Sequence, residues 1–277
     1  MKNYIKIFAI LTLTCFSFYY TDKVIDYSKK QNPIYEKILK ANNEKSIESV
    51  NAMVEKDYII SGKNGQKIDI EESYDKMKKL GEYNDNLLIF INDYPDISIN
   101  NNYNKFIIGG NKETKNVSLI FKIDKKDNID KVLEILKKNN IKANFFIEQK
   151  VIEEIDLKKI INSKHYIGNA GDNENYEKIK TINNILENYT NYKIKYCLVT
   201  TDDYKTLDIC NKEKMYTIKA EKITNNRLYN YVKNNLKEGK IFLINNNKYQ
   251  IEELNLSIKY IKQKGYEIVD INQLLNV

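Results

Sequence analysis

The stretch Asn116 to Ile147, NVSLIFKIDKKDNIDKVLEILKKNNIKANFFI, reads as strand, helix, strand. Val117, Leu119 and Phe121 alternate with Ser118, Ile120 and Lys122. The run is rich in β-branched and aromatic residues, which suits a buried strand. Asp127 is placed to cap a following helix, with Asp130 in its first turn. Ile129, Val132, Leu133 and Leu136 fall at helical spacing on one face. Asn139-Asn140 ends that helix, and Ile141 to Ile147 forms a second apolar strand. Such a unit takes a right-handed crossover and builds a parallel sheet. Sites in parallel α/β folds form at the carboxyl ends of strands. The first such end is Lys122-Ile123-Asp124.

Working toward the C-terminus, the alternation continues. Strands are predicted at 117–123, 142–147, 166–169, 195–199, 216–219, 240–245 and 266–269. Helices are predicted at 129–139, 157–162, 176–189, 204–212, 226–236 and 251–264. About seven strands alternating with helices suggest an α/β fold, a (β/α) barrel that is complete or incomplete, rather than an open doubly wound sheet. No glycine-rich phosphate loop follows any strand, which argues against a nucleotide site.

Toward the N-terminus the pattern changes. Residues 22–110 read as a small α+β region or stalk, with Pro33 opening a helix and a helix over Ser73–Leu80 closed by Gly81. Short strand-like runs are Tyr58–Ile60, Lys67–Ile70, Leu87–Ile91 and Lys105–Ile108. Residues 1–21 begin with Lys2 and Lys6 and continue as the apolar run Ile7–Tyr20. They are expected to form a single N-terminal signal anchor in the cell membrane, with everything after Thr21 outside the cytoplasm. The domain plan is therefore 1–21, 22–110 and 111–277.

Composition narrows the function classes. The chain has 277 residues, 42% hydrophobic and 30% charged, with a net charge of +7, so it is globular and large enough for a sizeable core. Its lysines are scattered and Arg227 stands alone, so no nucleic-acid module is expected. Cys197 and Cys210 show no metal or redox spacing and are expected to be buried free thiols. The single histidine is His165, and the two prolines are Pro33 and Pro95.

The signatures from 111 onward resemble, in order, the polysaccharide deacetylase (NodB-homology) domain. VSLIFKID is similar to the family's strand ending in T-F-D-D-G, and KANFFI to its "KATFF" strand. HYIGNAGDNEN (165–175) resembles H-x-I-x-N-H-T-x-x-H. GKIFLINNN (239–247) resembles G-S-I-I-L-L-H-D, and GYEIVDINQLL (265–275) the closing segment. The resemblance implies a distorted α/β barrel and metal-dependent deacetylation of a carbohydrate. It puts the base at Lys122, the metal Asp at Ile123, the metal histidines at Ala170 and Glu174, and the acid histidine at Asn245. None of these positions carries the residue that the family uses, and one histidine cannot supply three roles.

The expectation is therefore a degenerate, pseudoenzyme-like member with no catalytic residue, metal or cofactor. It would bind a cell-envelope glycan or scaffold a protein partner. Side-chain amides and Tyr suit a sugar groove, and the cleft residues singled out are Asp124, Asn169, Asp172, Asn173 and Asn246. One alternative is a carbohydrate hydrolase with a relocated carboxylate site using Asp124, Asp172 and Glu174. The other is a structural envelope protein.

Overall fold

The chain opens with helices α1 (Lys2–Lys30) and α2 (Pro33–Lys45), then β1 (Met53–Glu55), β2 (Tyr58–Ile60), β3 (Gly65–Ile68), α3 (Ile70–Leu80), β4 (Phe90–Asp93) and β5 (Phe106–Gly109). The alternation follows: β6 (Asn116–Ile123), α4 (Ile129–Lys138), β7 (Asn144–Ile147), α5 (Leu157–Asn162), β8 (Tyr166–Asn169), α6 (Tyr176–Thr190) and β9 (Tyr196–Val199). It ends with α7 (Tyr204–Lys212), β10 (Tyr216–Lys219), α8 (Leu228–Asn235), β11 (Ile241–Asn245), α9 (Lys248–Gln263), β12 (Glu267–Ile268) and α10 (Ile271–Leu275). This computed structural model describes residues 2–171, 175–223 and 227–276. The chain divides into two compact units, Met1–Ser49 with Asn64–Tyr94, and Val50–Lys63 with Pro95–Val277.

In the first unit, Pro33 begins α2 and the Asn32 side chain accepts the Ile34 N–H. α3 ends at Gly81, whose φ of 84° is the left-handed conformation that glycine adopts without a Cβ clash; its N–H donates to Met77 O. Both helices pack with the antiparallel β3–β4 pair around Tyr35, Ile38, Ile68, Tyr74 and Met77.

The N-terminal helix corrects one expectation. α1 is 29 residues long, but no helix among the described residues is long and apolar enough to cross a membrane. The apolar run from Ile7 to Tyr20 falls short of the ~20 residues a span requires. It is also broken by Thr12, Thr14 and Ser17. The Thr12 and Thr14 hydroxyls donate to the carbonyls of Phe8 and Ile10, one turn back. The single N-terminal membrane anchor, and the extracytoplasmic placement that rested on it, are not supported.

The second unit is built on one ten-stranded sheet in the order β1-β2-β5-β10-β9-β8-β7-β6-β11, with β12 added on β6. Every pairing is parallel except β1 with β2. β6 to β10 step one place at a time, as right-handed crossovers require, and the sheet curls into a half-barrel. β1, β2 and β5, from the region expected to stand apart, hydrogen-bond into this sheet.

Alternation along each strand divides the core in two. Val117, Leu119, Phe121 and Ile123 of β6 join the outer core beneath the helices, with Val132, Leu136, Phe145 and Ile167. Ile120 joins the inner core with Phe146, Ala170, Leu198, Ile218 and Leu243. The half-barrel is therefore filled, not hollow. Burying each large apolar side chain contributes about 1.5–3 kcal/mol.

Two local details differ from expectation. The residue before α4 is Asn128, not Asp127. It sits in the left-handed region (φ 64°) and its side chain makes no capping bond. Cys197 and Cys210 are not free thiols; they form a disulfide. They lie 13 positions apart in sequence, but β9 and α7 are packed neighbours in space, and sequence spacing carries no trace of that proximity. The helix expected from Asn226 begins, among the described residues, at Leu228.

Candidate functional site: the carboxyl ends of β6, β7, β8 and β11

Strand alternation decides what each resemblance position can offer. Lys122 shares the inward parity of Ser118 and Ile120, and pairs in register with Asn245 of β11 and Phe146 of β7. Its ammonium reaches Glu148, the first residue beyond β7, at 3.1 Å. Glu148 also meets Lys150 at 2.8 Å, and its backbone N–H donates to Ile123 O at 3.0 Å. The Lys122 side chain is only 8% exposed. Burial pushes its ammonium below the usual lysine pKa, against the opposing pull of Glu148. Burial also disfavours the Glu148 carboxylate, but hydrogen bonds from Lys150 and Lys122 outweigh that and hold its pKa below the usual range.

Ile123 has the opposite parity. It is fully buried in the outer core. Ala170 is 1% exposed within the inner core. Asn245 is half-buried, and its backbone N–H donates to Gln250 Oε1 at 2.8 Å. A divalent metal needs oxygen or imidazole donors around one point. An ammonium repels a cation, and Ile123 and Ala170 have no donor atom in their side chains, so these residues do not fit one. Among the described residues, no group of three His, Cys, Asp or Glu is arranged to hold a metal. Glu174 lies outside the described residues, as do Asp172 and Asn173.

The remaining cleft candidates occupy different places. Asp124 is exposed. Asn169 is fully buried on the outer side. Its amide donates to Ile179 O (3.1 Å) and Asn183 Oδ1 (2.9 Å), and its carbonyl accepts the Gly171 N–H. Asn246 is also buried; its amide donates to the carbonyls of Lys125 and Asp127, tying down the loop after β6. Neither amide is presented to an open groove.

His165 precedes β8 and is buried. Its Nδ1 accepts the Ala143 N–H at 3.3 Å. Burial, with Lys142 adding to it, drops its pKa to about 4, so the imidazole is neutral and structural at neutral pH. Glu148 is the residue that sequence reasoning missed. Its signal was its position, one residue past a parallel strand beside β6, where side chains converge on the barrel mouth.

The family model for polysaccharide deacetylase matches residues 109–215. Over that stretch the chain is similar to the polysaccharide deacetylase family. Two relatives span nearly all of it. The uncharacterized protein YlxY of Bacillus subtilis (strain 168) is 26% identical, covering 91% of this chain and 86% of that protein. The wild-type crystal structure of BA3943, a CE4 family pseudoenzyme from Bacillus anthracis, is 25% identical. It covers 88% of this chain and 95% of its own, with a TM-score of 0.64. Bacillus subtilis PdaA, a family 4 carbohydrate esterase, shares the fold over 64% of this chain and 86% of its own, at 20% identity and a TM-score of 0.55.

Proposed function

We propose that this protein is a deacetylase-fold domain that does not catalyse deacetylation and acts by recognition, of a glycan or of a protein partner. The observation that carries this reading is the buried Lys122–Glu148 pair at the end of β6. There the family resemblance implies a catalytic carboxylate and, beside it, a metal ligand. A positive charge held by its own carboxylate at that point opposes a cation and provides no base. Ile123, turned into the outer core, and Ala170, packed in the inner core, support the same reading. So does the single histidine, His165, which is engaged with Ala143. Likeness to a protein described as a pseudoenzyme is consistent with it.

A zinc and cobalt titration of the full chain tests the reading. Binding no tighter than that of a control protein with one surface histidine is expected. One equivalent bound tightly, and lost on Asp124→Asn, would overturn it in favour of a relocated carboxylate site.

A further inference from the structure

A cavity of about 290 Å³ lies at the seam of the half-barrel, between the end of β5, the end of β10 and the residues leading into β11. None of its lining residues is a position singled out by the family resemblance. The backbone closes tightly here: Gly110 N–H donates to Gly239 O at 2.8 Å. A Cβ on Gly239, whose φ is 68°, would stand 2.1 Å from Gly110 O. Glycine at 239 is what allows the 110 backbone to approach this closely.

Four lysines line the cavity, Lys112, Lys219, Lys237 and Lys240, with Glu221 and Glu238. Their surroundings are unequal. Lys219 is held by Asp202 at 2.6 Å and lies over the Tyr58 ring at 4.7 Å. The Glu238 carboxylate accepts the Tyr266 hydroxyl at 3.0 Å. Lys112 and Lys237 are exposed. Lys240 is half-buried, yet no carboxylate among the described residues lies within 4.0 Å of its ammonium. Burial pushes its pKa down, Glu221 pulling the other way and Lys237 adding to the fall. A desolvated cation with no carboxylate close among the described residues costs stability. Facing a cavity with two more lysines at its mouth, it is ready to receive an anion.

We propose that this seam cavity binds a small anionic ligand, about one sugar residue in size, whose carboxylate or phosphate pairs with Lys240 while Lys112 and Lys237 attract it to the mouth. The proposal goes beyond the non-catalytic reading and does not depend on it, since the cavity lies apart from Lys122 and Glu148. The volume sits at the small end of ligand pockets, about 300 Å³. Lysine serves as a point charge for either anion.

Calorimetric titration of the full chain with glucuronate, glucose 1-phosphate and neutral glucose tests it. At least one charged sugar binds and glucose does not; which charged sugar binds assigns carboxylate or phosphate. Lys240→Met weakens that binding at least about tenfold, whereas Lys131→Met, on the exposed face of α4, leaves it unchanged. Thermal melting of the Lys240→Met variant shows no loss of stability, so weaker binding cannot come from misfolding. Equal binding of glucose, no binding of any sugar at millimolar concentration, or full binding by Lys240→Met overturns the proposal. Should Lys240→Met melt lower than the parent, Lys240→Gln replaces it in the titration with the same two outcomes.

Discussion

Lys122 and Lys240 are both lysines withdrawn from water beside parallel strands, and burial lowers the pKa of each. Their neighbours differ. Lys122 lies near the end of β6 against Glu148; Lys240 leads into β11 and lines a cavity with Glu221 and Glu238, yet no carboxylate among the described residues is within 4.0 Å of its ammonium. The first arrangement is satisfied within the fold. The second is left incomplete and needs something from outside. A depressed lysine pKa is the same in both places, so the geometry around each, not the titration, separates a structural charge from a receptive one.

His165 sharpens the comparison with the largest expected effect, because it is a third buried base and one kept neutral. Its folded pKa of about 4 lies below the 6.5 of an exposed histidine. Unfolded chains therefore bind the proton more tightly. The stabilisation is complete above about pH 6.5 and is lost as pH falls toward 4, by about 3 kcal/mol in all. Urea unfolding across that range should show the slope. His165→Asn keeps an acceptor for Ala143 N–H and should flatten the histidine part of it; an unchanged slope would mean that His165 is not desolvated.

Glu148→Gln comes next. It leaves the Lys122 ammonium buried without its carboxylate and should cost about 2 kcal/mol of unfolding free energy at neutral pH. A cost near zero would put Lys122 in water and remove the contrast with Lys240. The smallest effect on stability is that of Lys240→Met, within about 0.5 kcal/mol of the parent or above it. A large loss there would show that Lys240 has a structural partner.

Much of the fold was legible in the sequence. The unit from β6 through β7 was readable because Val117, Leu119 and Phe121 keep a period of two, while Ile129, Val132 and Leu136 keep a helical one. The later strands and helices followed to within a few residues at their ends. β1 and β2 were harder, since strands of three residues carry no period, and their pairing with β5 is a long-range matter. The Cys197–Cys210 bond was illegible for a similar reason. At the candidate site, residue types were legible but direction was not fully used. Parity along β6 already turns Ile123 away from Lys122, and parity along β8 separates Asn169 from Ala170. What no pattern could show is that the Asn169 and Asn246 amides bond within the fold.

The proposed reading is that this deacetylase-like domain does not catalyse deacetylation. It is tested most directly by assaying the full chain for deacetylation of chitooligosaccharides and peptidoglycan with added zinc, cobalt or manganese. Turnover indistinguishable from a protein-free control is expected with every metal. Metal-dependent release of acetate that is abolished by a chelator would contradict it.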